Sequence, residues 1–277
     1  MNCWVETIGV ILVALSGIFL GRVFSGFRKP YWTLGYFPPF LLVAILVTAR
    51  FGDGLSFAAP LSWIAAGRAR FVVLSLAATM GLTTPLPRLA NRYQKLAVCV
   101  LMAVIVVWFS ISPFLAPALL KNRLLNLDTR ISANGVCFQT TDYTCGPAAA
   151  VTALTKLGLA AEEGEIAVLS HCSPVTGTLP VCLAKALQNR YGSEGLQCHY
   201  RRFDSLDELK NADAALAVVS DTFLTYHCVA VLEVLDRNVI IADPVAGRQS
   251  MSRKQFEEIW RYCGIVLKRE WTQNEKG

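Results

Sequence analysis

Leu96 to Leu120 runs for 25 residues without a charged side chain. As a helix, a stretch of that length crosses a hydrocarbon core, and few other environments accept it. Three more uncharged runs precede it: Thr7 to Gly21, Tyr31 to Ala49 and Phe71 to Pro87. The last is short and follows Arg68 and Arg70, so three spans stand as the alternative to four. These runs predict an all-α transmembrane region of about four helices over residues 1–126, with a lipid bilayer as its solvent. Composition agrees: the chain is 54% hydrophobic and only 17% charged, and the apolar excess ends near residue 120.

A cleaved signal peptide needs basic residues before its apolar core and a small-residue cleavage site after it. The opening "MNCWVE" has no Lys or Arg, and the first run is followed by "GRVFSGFRK", which fits a retained span. Arg22, Arg28 and Lys29 follow that span and Glu6 precedes it, which puts the amino terminus outside. Arg88, Arg92 and Lys95 then mark a second cytoplasmic loop, and an even number of spans leaves the carboxy-terminal domain outside. Arg50, Arg68, Arg70, Lys121 and Arg123 fall on the outer side, so the asymmetry is small.

The net charge of +6 belongs mostly to these loops. From Leu127 onward the two signs are mixed, with no basic stripe interleaved with aromatics, so a nucleic-acid partner is not expected. Seven of the nine cysteines lie after the last span (Cys137, Cys145, Cys172, Cys182, Cys198, Cys228 and Cys263). An odd number fits one reactive thiol among buried or paired ones. The doublets His171-Cys172, Cys198-His199 and His227-Cys228 do not make a metal site: neighbours on a strand point to opposite faces, and no C-x-x-C pair exists. No metal and no cofactor is expected.

Residues 127–277 have the length of one domain. "CGPAAAVTALTKLG" reads as a helix with Pro147 in its first turn and Gly158 as its stop. "AEEGEIAVLSH", "TLPVCLAKALQNRYG" and the later "SRKQFEEIW", with Ser252 as N-cap, read as further helices. "AALAVVSD", "YHCVAVLEVL", "NVIIADP" and "GIVLKRE" read as strands, with a tight hairpin at Asp236–Asn238. Helices followed by consecutive strands define an α+β fold, helices packed on an antiparallel sheet.

Within that domain Cys145 heads the Ala-rich helix, and Gln139 precedes it by six residues. A thiol attacks acyl carbon as its anion, which the start of a helix favours through unpaired N–H groups and the positive end of the dipole. The Cys145 N–H and a side-chain amide from Gln139 can hold the oxyanion of a tetrahedral intermediate. Gly146 would leave the backbone open to a substrate. A proton carrier is also required. Of the three histidines, His171 ends a helix and His199 sits in "CHYRR" at a polar strand end. His227 opens "HCVAVLEVL", apolar on both faces and hence central, and Asp243 closes the next strand sixteen residues later. A hairpin between those strands brings the two side by side, so the carboxylate can orient and stabilise the imidazolium.

The order "Q-x5-CGPAA", "HCVAV", "IIADPVAG", "S-x-x-x-F-x-x-x-W" and "GIVL" resembles the double-glycine leader peptidase domain. This is the papain-like cysteine peptidase found at the amino end of bacteriocin-exporting ABC transporters and as separate proteins. The resemblance covers about half the chain. It implies Cys145 as nucleophile, His227 as base, Asp243 as its orienter and Gln139 as oxyanion donor. It also implies cleavage of leader or precursor peptides after Gly-Gly and an exporter or secretion complex as partner, while the loop charges and an even number of spans put the peptidase domain on the periplasmic side of a bacterial inner membrane. The sequence departs from the family pattern in three ways. It contains no G-x-x-x-x-G-K-[ST], so no nucleotide is expected. Its spans precede the peptidase-like segment, and Cys228 follows His227 where the family commonly has an aromatic. Two other classes share the scaffold: a transglutaminase-like thiol acyltransferase, and a degenerate peptide-binding module of an export complex, against which the presence of Cys145 speaks.

Overall fold

The computed structural model describes residues 3–51, 68–221 and 225–270, and divides into two compact units, Met1–Leu119 and Leu120–Gly277. The first unit contains α1 (Cys3–Ser25), α2 (Phe37–Phe51) and α3 (Ala69–Thr83). α4 (Arg92–Ile105) then continues through a π-helical turn at Val106–Ile111 into α5 (Ser112–Leu119). Four stretches, Cys3–Ser25, Tyr31–Thr48, Ala69–Arg88 and Arg92–Leu119, are long and apolar enough to cross a membrane. They coincide with the four uncharged runs of the sequence. The π turn has a local cause. Pro113 lacks the N–H that would close the next α-helical bond, and just before it the Ser112 N–H reaches five residues back to the Val107 carbonyl, which also accepts the Ser112 hydroxyl at 2.9 Å.

Small residues hold this unit together. α1 buries Thr7, Val10, Ala14, Gly17, Gly21 and Ser25, spaced three or four apart and therefore on one face. That face meets α3 at backbone distance: a Cβ on Gly17 would lie 2.0 Å from Thr79 Oγ1, and one on Gly21 2.8 Å from the Met80 carbonyl. Where lipid replaces water there is no hydrophobic drive between helices, and such close approach is what gains contact energy. Two arginines fasten the ends of the third apolar stretch. Arg68 pairs with Glu6, donates to the Pro113 carbonyl at 2.9 Å and lies over the Phe114 ring. Arg88 donates to the carbonyls of Ser25 and Phe27 and lies over Trp32.

The second unit begins with α6 (Lys121–Leu125) and a short antiparallel ribbon of β1 (Arg130–Ile131) and β2 (Cys137–Phe138). Three helices follow: α7 (Cys145–Lys156), α8 (Glu163–Leu169) and α9 (Pro180–Tyr191). The sheet is built from β3 (Leu196–Arg202), β4 (Ala214–Ser220), β5 (Tyr226–Val234), β6 (Asn238–Asp243), β7 (Gly247–Ser252) and β8 (Trp260–Arg269). Its order is β3-β8-β4-β5-β6-β7, every pair antiparallel, with α10 (Arg253–Ile259) between β7 and β8. The fold is α+β. Side chains alternate along each strand. Leu216, Ala230, Ala242, Ile265 and Leu267 therefore pack with α7 and α9, while Val219, Val229, Val231 and Ile241 pack with Phe203, Phe256 and Trp260.

Three details differ from the expected elements. β3 extends the strand end expected at "CHYRR" back to Leu196, and β7 does not read as a strand because "GRQSMS" is a polar edge with charge and hydroxyls where a central strand would be apolar. Trp260 starts β8 instead of ending the preceding helix. Ser252 caps α10 as expected, and its box with Gln255 satisfies two orphan N–H groups.

The Gly17 contact is directly testable. Gly17→Leu should destabilise the first unit by about 1–3 kcal/mol through overpacking, read as a lower melting temperature in detergent. Gly9→Leu should leave that temperature unchanged, since nothing lies within 4 Å of a Cβ there.

Candidate active site

Cys145 is the first residue of α7, and a compact turn brings the chain to it. Thr144, the buried N-cap, accepts the Thr141 N–H on its hydroxyl at 3.1 Å, and its carbonyl accepts the Ala148 N–H at 3.0 Å. Pro147 occupies the first turn, where its missing N–H removes no intrahelical bond. Helix geometry leaves the first N–H groups, Cys145's included, without intrahelical acceptors. The expectation that Gly146 leaves room for a substrate is corrected here. A Cβ at Gly146 would lie 3.0 Å from the Thr178 Cβ, a tight contact, so the chain after α8 takes up the space beside this glycine.

His227 is the second residue of β5, an interior strand, and faces Val219 of β4. The hairpin from β5 to β6 closes with the Leu235 N–H on the Asn238 carbonyl at 2.8 Å. Ala230 then pairs with Ala242, and Asp243 is the next residue. The register brings the two polar side chains together: His227 Nε2 and Asp243 Oδ1 are 2.9 Å apart. The same oxygen accepts the N–H groups of Val245 at 2.7 Å and Ala246 at 3.3 Å, so the Asp-Pro turn after β6 fixes the carboxylate. With Nε2 on Asp243, the ring's other nitrogen is left over, and the Cys145 side chain lies near enough to His227 to help raise its pKa.

Charge follows from these contacts. Burial pulls the His227 pKa down, but the hydrogen bonds to Asp243 and Cys145 and their negative charge outweigh it and carry it up to about 10. At neutral pH the ring is an imidazolium. Burial pushes the Asp243 carboxyl up, and the His227 and backbone hydrogen bonds outweigh that and hold it below its ordinary value. Cys145 is half-exposed, whereas Cys137, Cys172 and Cys198 are buried, and burial first of all pushes each of those thiols up to about 12. They are poor nucleophiles at physiological pH.

Gln139 follows β2 directly, and its N–H donates to the Pro244 carbonyl at 2.9 Å. It is thus tied to the same turn that holds Asp243. Its Oε1 is buried and has no hydrogen-bond partner among the described residues. The other histidines lie elsewhere: His171 just after α8, and His199 on β3 at the sheet edge, with β8 and β4 between it and β5. The backbone N–H groups of Val245 and Ala246 are the contributors that residue typing misses; the "ADPVAG" turn is the signal for them.

A helix-start thiol, an imidazole on a central strand and a carboxylate one hairpin away define a class of α+β domain that carries the residue types of thiol acyl-transfer chemistry. Within it the chain belongs to the Peptidase C39 family, whose model matches residues 134–272. An uncharacterized protein of Methanothermobacter marburgensis is 30% identical over 132 residues, covering 48% of this chain and 87% of that protein. Among solved structures, the peptidase domain of Streptococcus ComA, a bifunctional ABC transporter of a quorum-sensing pathway, is 19% identical. That alignment covers 48% of this chain and 96% of the ComA domain at a TM-score of 0.41. A double-glycine motif protease from an AMS/PCAT transporter, solved with its leader peptide, is 16% identical, covering 52% and 93% at a TM-score of 0.40.

The raised pKa of His227 predicts a pH signature. Its contribution to stability is fully present below the ordinary value of 6.5 and is lost as pH rises through about 10. In an NMR titration the wild-type ring should keep its proton well above pH 8. Asp243→Asn should move the ionisation down toward 6.5 and destabilise the domain more at pH 6 than above pH 10. A wild-type midpoint near 6.5 would contradict the pairing described.

Proposed function

We propose that the chain is a membrane-anchored cysteine endopeptidase that removes a leader or precursor segment from a peptide by cutting after Gly-Gly. The observation that carries this reading is His227, bonded through Nε2 to Asp243 at 2.9 Å, with Cys145 at a helix start among the groups that act on its ring. Cys145 attacks the scissile carbonyl carbon as thiolate. The resulting oxyanion accepts hydrogen bonds from the Cys145 N–H and the Gln139 amide, and each such donor contributes about 10²–10³ in rate. The His227 imidazolium then gives its proton to the departing amine as the C–N bond breaks, leaving a thioester on Cys145. Water attacks that thioester, His227 takes its proton, and the carboxylate product leaves as the thiolate returns. Asp243 holds the ring in place and stabilises its charge throughout.

Gly-Gly specificity rests on family membership and on the motif order in the sequence. Small residues on either side of the scissile bond would let an extended peptide lie close against the helix start. The same resemblance makes a peptide exporter the partner class. A bilayer-embedded first part, taken as 1–126 ahead of a peptidase part 127–277, is supported by the four apolar stretches, the last of which ends at Leu119, and by the close helix packing between them. With four spans, the basic residues after α1 and before α4 put the catalytic domain on the periplasmic side of a bacterial inner membrane.

Candidate precursors incubated with the purified protein and followed by mass spectrometry should be cut after Gly-Gly. Cys145→Ala should abolish cutting, and a Gly→Leu precursor should be cut at least tenfold more slowly, the order expected from steric rejection at a tight site. Equal cleavage of the Leu precursor would remove the small-residue specificity, and acyl transfer to an amine without hydrolysis would favour the transglutaminase-like class. Sidedness is checked separately: a carboxy-terminal alkaline phosphatase fusion should be active and a green fluorescent protein fusion dark. The opposite pair would place the domain in the cytoplasm.

A further inference from the structure

Glu163 is a charged residue with no exposed surface, at the start of α8. No basic side chain pairs with it among the described residues. Its carboxylate is spent on a single residue: Oε1 accepts the Thr140 backbone N–H at 2.9 Å, and Oε2 lies 2.6 Å from the Thr140 hydroxyl. The Glu163 N–H in turn donates to the Thr129 hydroxyl at 2.9 Å, and the Thr140 hydroxyl lies 3.0 Å from the Asp128 carbonyl. Burying a carboxylate without a cation is costly, and an apolar side chain of similar volume would fill such a space more stably. A charge kept there has a task that packing alone does not supply.

Thr140 follows Gln139, and β2 has ended at Phe138, so no strand ladder holds this backbone. It is held at two consecutive N–H groups instead. That of Gln139 goes to the Pro244 carbonyl, beside Asp243, and that of Thr140 goes to Glu163. We propose that Glu163 is a positioning residue for the oxyanion site, fixing the Gln139–Thr140 backbone so that the Gln139 amide stays aimed at the carbonyl under attack. This assignment rests on the peptidase reading above. Glu163 touches no reacting atom; it acts through Gln139.

Two reactions of Cys145 separate this role from general support of the fold. Acylation by a Gly-Gly p-nitrophenyl ester passes through an oxyanion; alkylation by iodoacetamide does not, though both need the activated thiol. Glu163→Ala should slow acylation by roughly tenfold or more, toward the loss expected for a missing oxyanion donor, while alkylation stays within about twofold. Glu163→Gln should recover acylation to within about threefold: its amide oxygen still accepts the Thr140 N–H, its NH2 donates to the Thr140 hydroxyl, and that hydroxyl donates to Asp128. Gln139→Ala combined with Glu163→Ala should be no slower than Gln139→Ala alone, because the two act as one unit. Should Glu163→Ala fail to fold, seen as alkylation at the rate of a free thiol, Thr140→Val carries the test. It removes only the hydroxyl contact and should slow acylation and spare alkylation. Wild-type acylation in these variants, equal slowing of both reactions, or multiplicative losses in the double variant would overturn the assignment. A wild-type chain that never acylates at Cys145 would overturn the peptidase reading and this assignment with it.

Discussion

One carboxylate oxygen organises the site. Asp243 Oδ1 accepts from His227 and from the N–H groups of Val245 and Ala246, and the carbonyl of Pro244 accepts from Gln139. The turn after β6 therefore sets the imidazole and the Gln139 backbone in one frame. Proline suits the position after Asp243, since its fixed φ shapes the turn and its carbonyl stays available. A change in the turn would disturb the proton carrier and the candidate oxyanion donor at once, which is a tighter coupling than their separation in sequence implies.

Much of the C39 domain is legible in the sequence because local signals and the global fold agree. Cys145 and Pro147 head a periodic apolar run, and the hairpin at Asp236–Asn238 converts a separation along the chain into the His227–Asp243 contact. The rest depends on contacts that no local pattern carries. Glu163 sits in "AEEGEIAV" and reads as one of three exposed acids; only the approach of the Thr140 backbone makes it a buried anchor. Gly146 reads as open backbone until Thr178 occupies the space beside it. β7 is an edge, where a polar sequence such as "GRQSMS" is an advantage against pairing with other chains, so it escapes a search for apolar alternation.

The two units obey different packing rules. In the first, glycines and hydroxyl side chains face inward while Trp4, Ile8 and Phe19 face outward, an inversion that makes physical sense only in a hydrocarbon surrounding. In the second the order is the usual one, with buried aliphatic side chains on both faces of the sheet. Cysteine use in that unit follows burial as well. Cys137, Cys172 and Cys198 behave as small core residues whose thiols are pushed up to about 12, which leaves reactivity to a thiol that solvent reaches.

The small side chains of α7 complete the explanation of the site. Ala148, Ala149, Ala150 and Ala153 are fully buried, and the strands beneath them offer Ala230 and Ala242. Short side chains on both sides let the helix axis come close to the sheet, and interior packing density leaves no gap to absorb a larger residue. Cys228, next to His227, belongs to the same cluster, and a bulky aromatic there would have to be accommodated under the helix. The Ala-rich face is therefore more than good helix propensity: by lowering α7 onto β5 and β6, it brings the helix start that carries Cys145 toward the strand start that carries His227.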